Sequence, residues 1–350
     1  MSGKTISWFR LPSWDYKCEK NFGICLSCHW RHGGECVRRR AQEFENNRPG
    51  CRTRGTMQER ELAIPGGSLY YEITDSGVRI IRYQGLSSEV QVPDYIENAP
   101  VTVVGKKAFL SKKNLRRVTL PDTVEELEDW AFAYCNGLIQ VTLPRKHIRF
   151  GRAVFLECSC LQQISDRNGL LPGELLAAAV RVFDAYYLMD MQEAGSGEWL
   201  RKWDARLLDL LHTSDQEGYS KQVLCGEEDY GSTDLGAYVS GRRKVKARLA
   251  LLRCLHSQGL SEVLSAELTE YLRAHTKGEE SQETWQVVLE EHGEHREYYS
   301  LFAELGCVNR ENLDGILSDI GDAHPEMKAY FLKFREEQLG ERNFFDDLSL

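Results

Sequence analysis

The chain has 350 residues, of which 42% are hydrophobic and 28% charged. That composition excludes wholesale disorder, a collagen-like fibre and a membrane-embedded protein, and the length allows two or three domains with their own cores. The net charge of −9 hides a gradient: residues 1–60 carry +6, residues 61–170 carry 0 and residues 171–350 carry −15. A basic head and an acidic tail point to separate modules.

The first ten residues, Met1 to Arg10, contain no apolar stretch of signal-peptide length, so the expected compartment is the cytoplasm. Residues 1–60 read as a Cys-rich basic head. Cys18, Cys25, Cys28, Cys36 and Cys51 are spaced C-x6-C-x2-C-x7-C-x14-C. A C-x2-C turn aims two sulfurs at one ion, and two more thiolates close a tetrahedral site. Cys18, Cys25, Cys28 and Cys36 are therefore the expected ligands of a structural zinc, with Cys51, His29 or His32 as substitutes. Reduced cysteines, an iron–sulfur cluster and haem attachment at Cys25-Leu-Ser-Cys28-His29 are the rival readings. Arg38, Arg39, Arg40, Arg48, Arg52 and Arg54 make the head basic. They read as a solvated helix over 38–46 or as a phosphate-contacting surface.

Residues 61–168 are marked by a repeat of 23 residues. Phe109, Phe132 and Phe155 recur at that interval, as do Leu115, Leu138 and Leu161. Pro121 pairs with Pro144, and Cys135 with Cys158, at the same spacing. Val118 and Leu120 alternate with Thr119, and Val141 and Leu143 with Thr142, so each unit holds a short strand with inward residues. The proline after each strand ends its ladder, because it has no N–H to donate. One unit cannot bury its face alone, so the units must stack into a solenoid. Upstream, Asp75-Ser-Gly77 joins Tyr70–Ile73 to Val78–Ile81 as a hairpin. An insert of five residues, around Glu97-Asn-Ala-Pro100, lengthens the first spacing from 23 to 28.

These residues resemble the BspA-type leucine-rich repeat: strand, Leu-Pro, turn, Ala-Phe, two residues, Cys, two residues, Leu. The second unit, Glu126 to Leu138, is close to the pattern. The third departs from it, with His147-Ile-Arg-Phe150 in the turn and Val154 for Ala. The first has Lys112 in the Cys position. The likeness covers about residues 68–166 and implies a binding surface rather than a reaction. On it, Cys135 and Cys158 are buried small hydrophobes and the Phe ladder is core; Cys160 lies outside the pattern.

From residue 169 the period changes to about 3.6, predicting an acidic all-α module over 169–350. Pro172 opens a helix with Leu175, Ala179, Val182, Phe183 and Tyr186 on one face. Ala194-Gly-Ser-Gly197 breaks the chain before a stripe of Leu200, Trp203, Leu207, Leu210 and Leu211. A polar loop over 213–234 precedes a long helix over 237–257. Short helices follow: 262–275 capped by Ser261, 282–292 capped by Ser281, 294–305 stopped by Gly306, 310–320 capped by Asn309, and 325–338 opened by Pro325. Their lengths and tight turns read as stacked helical hairpins.

The expected fold is thus α+β: a short leucine-rich repeat solenoid between a small Cys-rich N-terminal module and an all-α C-terminal helical-hairpin domain. His292-Gly-Glu-His295 lacks the spacing of a zinc-protease helix and reads as surface histidines. Phosphate-binding loops and G-x-S-x-G are absent from the sequence, and Cys225 and Cys254 have no evident activating partner. The expectation is a non-enzymatic, bacterial-type interaction or scaffold protein that meets a protein partner and no membrane. Lys106, Lys107, Lys112, Lys113, Arg116 and Arg117 are the candidate contact residues. The alternative is a nucleic-acid-associated protein that binds through its basic head while the repeats recruit a protein.

Overall fold

The computed structural model describes residues 59–219 and 234–339. All of them lie within the compact unit Thr56–Leu350. Three antiparallel strands open it: β1 (Arg60–Ile64), β2 (Gly67–Thr74) and β3 (Gly77–Gly85). The turn between β2 and β3 is the one the sequence predicts. Strand β1 is an addition, because Arg60-Glu-Leu-Ala-Ile64 has no strong alternation and was not legible as a strand.

The solenoid follows, in about four turns over residues 78–165. Strands β4 (Glu89–Gln91), β7 (Arg117–Thr119), β9 (Gln140–Thr142) and β11 (Gln163–Ser165) form one parallel sheet. Strand β3 continues into β6 (Ala99–Val104), β8 (Glu126–Leu127) and β10 (Arg149–Phe150) as a second parallel ladder. Val118 pairs with Val141 and Val141 with Ile164, each a step of 23 residues. Val90 pairs with Val118 across the longer step of 28. The extra residues are a hairpin: β5 (Tyr95–Ile96) turns back on β6 through Glu97 and Asn98, at φ 50° and 64°. Two consecutive positive φ values are what a tight two-residue hairpin turn requires.

Inside, the rings of Tyr83, Phe109, Phe132 and Phe155 stack in series, with centroids 5.5, 4.9 and 5.6 Å apart. Beside them the Cys135 thiol donates to the Phe109 carbonyl at 2.9 Å, and the Cys158 thiol to that of Phe132 at 3.2 Å. Each cysteine thus ties its unit to the previous one. Burial pushes the two thiols up to about 11 and about 12, so they stay protonated at neutral pH. In the third unit Ile148, one residue after the expected position, fills the core place that Val124 holds in the second.

The helical part holds α1 (Gly173–Arg181), a 3₁₀ turn (Tyr186–Leu188), α2 (Gly197–His212), α3 (Leu235–Leu255), α4 (Glu262–Ala274), α5 (Glu283–His292), α6 (Arg296–Glu304), α7 (Leu313–Ile320) and α8 (Pro325–Phe334). Helix α3 packs against α1, α2, α4, α5 and α6. Its second half is buried nearly all round, from Lys246 to Cys254, as an internal helix must be. No described helix is long and apolar enough to cross a membrane.

Several helix ends differ from the sequence expectation. Helix α1 stops at Arg181, because Asp184 turns the chain at φ 48°, and Tyr186 sits in its own 3₁₀ turn. Ser261 caps α4 as expected, accepting from the Leu264 N–H at 3.2 Å. Ser281 does not cap α5, whose first residue follows Gln282. Asn309 closes a separate turn, accepting the N–H groups of Glu311 and Asn312 at 2.9 Å, and α7 starts only after Asn312. Helix α8 ends at Phe334, and the chain widens into a π-helical stretch over Arg335–Leu339.

Helix α1 closes the solenoid. It packs on β11, and a Cβ at Gly173 would stand 2.8 Å from Gln163 Cγ and 2.9 Å from the Ile164 carbonyl oxygen. Any larger residue there would push the helix off the last strand. Solenoid and helices share one hydrophobic core.

Candidate interaction surface

Outside the Phe ladder, the turn segments of successive units are joined by backbone bonds at alternate residues. Lys107, Phe109 and Ser111 donate to the carbonyls of Asp129, Ala131 and Ala133. Trp130, Phe132 and Tyr134 donate in the same way to Arg152, Val154 and Leu156. Equivalent residues take left-handed φ values: Lys107, Trp130 and Ala153 at 62°, 56° and 50°, and Ser111, Tyr134 and Glu157 at 58°, 60° and 55°. Residues with side chains adopt that conformation at a cost of roughly 1–2 kcal/mol each, which the inter-unit bonds and the packed Phe ladder offset. The result is a rigid ridge with side chains in register.

Trp130 is the centre of this ridge. The Lys106 and Lys107 ammonium groups lie 5.0 and 5.3 Å from its ring centroid, and the Arg152 guanidinium carbon 5.8 Å, within cation–π range. Tyr134 is 47% exposed and Leu156 39%, one turn segment apart. Asp129 accepts from the Arg152 backbone N–H and its guanidinium, both at 2.9 Å. Those bonds hold its carboxyl below the usual carboxylate range.

The six residues singled out from the sequence fall into three settings. Lys106 and Lys107 share Trp130. Lys112, half-buried in the Cys position of the first unit, lies 5.7 Å from the Tyr83 centroid; the shorter thiol used in later units is replaced there by a stem along the aromatic ladder. Lys113 is exposed, Arg116 donates to the Gly137 carbonyl at 2.9 Å, and Arg117 pairs with Glu89. Trp130, Tyr134 and Arg152 were not singled out. The signal available was their repeat position: Trp130 is 23 residues after Lys107, and Tyr134 is 23 after Ser111.

The proposed zinc ligands Cys18, Cys25, Cys28 and Cys36 lie outside the described residues. Of the two histidines read as surface groups, His292 is half-buried and stacks on Tyr298 at 3.5 Å. Burial lowers its pKa. Cys254 and Cys307 are buried, and burial pushes their thiols up to about 11 and about 12. An open groove runs along α4, bordered by Leu260, Ser265, Ala266 and Thr269.

Residues 88–171 match the family model of the BspA type leucine-rich repeat region, in six copies. The chain belongs to the BspA-type leucine-rich repeat family. A leucine-rich repeat protein of T. pallidum is similar at 31% identity, with a TM-score of 0.28, over 30% of this chain and 49% of that one. A leucine-rich repeat protein of Bacteroides capillosus is similar at 32% identity, with a TM-score of 0.27, over 30% of this chain and 80% of that one. This chain therefore spans about half the length of the first and most of the second. A comparison with curated proteins gives no match.

Proposed function

We propose that this protein is a non-enzymatic interaction protein whose solenoid ridge, around Trp130, Tyr134 and Leu156, meets a protein partner. The observation that carries the reading is the pair of exposed apolar side chains held in register on a rigid backbone ladder. Exposed apolar groups on a pre-organised scaffold lose little entropy on binding. A photo-crosslinking residue placed at Tyr134 is expected to capture a partner protein from bacterial extract. The same residue at Val263, 78% exposed on α4, is expected to capture none. Adducts from Val263 alone would move the contact to the helices, and adducts from neither position would end the reading.

We further propose that the head holds one structural zinc through Cys18, Cys25, Cys28 and Cys36. The support is the cysteine spacing and the shortage of aliphatic residues with which such a segment could fold unaided. Elemental analysis should find about one zinc per chain, lost in a Cys25→Ser/Cys28→Ser variant. No metal together with free thiols would sink the proposal.

A further inference from the structure

The solenoid treats its two kinds of cation differently. Among the described residues, Arg79, Arg82, Arg117, Arg149, Arg152 and Arg167 each face a carboxylate. Lys106, Lys107, Lys112 and Lys113 form no salt bridge with a described residue. They stand at the two ends of one turn segment, beside the exposed Tyr134 of the next unit, which its backbone ladder holds alongside. Four ammonium groups thus border an aromatic surface on a backbone that cannot rearrange to neutralise them.

We propose that this ridge docks an acidic segment of a partner protein. Its carboxylates meet Lys106, Lys107, Lys112 and Lys113, and an apolar side chain rests on Tyr134 and Leu156. This rests on the interaction reading above and adds the chemistry of the partner. Charge complementarity selects an acidic occupant. A nucleic acid fits less well. Glu128, Asp129 and Glu157 stand on the same ridge, where an unbroken phosphate chain would meet them, while a peptide can space its charges between them. Three cations already ring Trp130, which removes the bare face that base stacking uses.

The test is fluorescence anisotropy on the full chain. The probes are a short labelled Glu-rich peptide carrying Leu, its Gln counterpart, and a short single-stranded DNA. The Glu peptide is expected to bind, to weaken with salt, and to lose about tenfold in affinity in the Lys106→Glu/Lys107→Glu variant. Tyr134→Ala should weaken it too, and Lys333→Glu, an exposed change on α8, should leave it unchanged. Unaltered circular dichroism and melting establish that the variants fold. Equal binding of the Glu and Gln peptides, no binding, or no effect of the lysine reversals would overturn the proposal. So would tighter binding of the DNA through the same lysines, or a salt-sensitive dimer of the chain that takes up no peptide. If the peptide fails while the Tyr134 crosslink persists, the acidic assignment falls and the solenoid interface stands.

Discussion

Replacing Asp204 with alanine is expected to destabilise the folded chain by about 3–5 kcal/mol. Its partner Arg253 is fully buried, at 0% exposure, on α3. The Asp204 carboxylate on α2 accepts from Arg253 Nε at 2.5 Å and from Nη2 at 3.0 Å. The same guanidinium donates to the carbonyls of His256 and Gln258, just beyond the end of α3. One side chain therefore joins α2, α3 and the turn into α4. Without Asp204 the cation stays in the core with neutral acceptors alone, and desolvation of an uncompensated charge sets the cost. Urea unfolding of the variant measures it. A companion variant, Asp204→Leu/Arg253→Met, should recover most of the loss, because a buried ion pair and an apolar pair of similar volume are close in free energy. A loss under about 1 kcal/mol for Asp204→Ala would show that the pair behaves like a surface bridge.

Removing the hydroxyl in Tyr186→Phe is expected to cost about 1–3 kcal/mol, with the loss centred on the last solenoid turn. Phe109 donates its N–H to the Ala131 carbonyl and Phe132 to that of Val154. The third member, Phe155, has no following unit and donates instead to the Tyr186 hydroxyl at 2.8 Å. Tyr186 therefore supplies the acceptor that a further repeat would have supplied. The 3₁₀ turn puts it there, and the ring also lies 6.3 Å from Phe150. Removal of one oxygen leaves a buried N–H without an acceptor and the packing nearly intact. Hydrogen exchange should show faster exchange at Phe155 and its neighbours, with the first turns unchanged. Protection at Phe155 equal to that of the parent would contradict the capping role.

Both residues show where sequence reading stops. The 23-residue period was legible because every unit must present the same inward set, and the observed pairings Val118 to Val141 to Ile164 follow it step by step. The longer first step was legible for the same reason, and the structure resolves its extra residues into the Glu97–Asn98 hairpin turn. Helices were legible from their apolar stripes, and their ends less so. Ser281 and Asn309 have the right chemistry for caps, but the backbone around them enters the helix one and four residues later. A cap depends on backbone direction, which residue type alone leaves open.

The candidate surface was legible in half. Lys106, Lys107, Lys112, Lys113, Arg116 and Arg117 are polar residues next to the repeat pattern, so charge alone drew attention to them. Their separation into free lysines, a carbonyl-bound Arg116 and a carboxylate-bound Arg117 required the neighbouring units. Trp130 and Tyr134 were hidden by the opposite bias, since aromatic residues inside a hydrophobic period read as core. Their left-handed backbone turns them outward instead.

By itself, the sequence determined the solenoid, its period, its aromatic and cysteine core, and the change to helices after it. These are repeated or periodic features, and the same local physics specifies each copy. Only the tertiary structure decided how the solenoid ends, which charges are paired, and which aromatic side chains face out. Those outcomes rest on single contacts between residues far apart in the chain, such as Phe155 with Tyr186 and Asp204 with Arg253, and a contact that occurs once has no period to betray it.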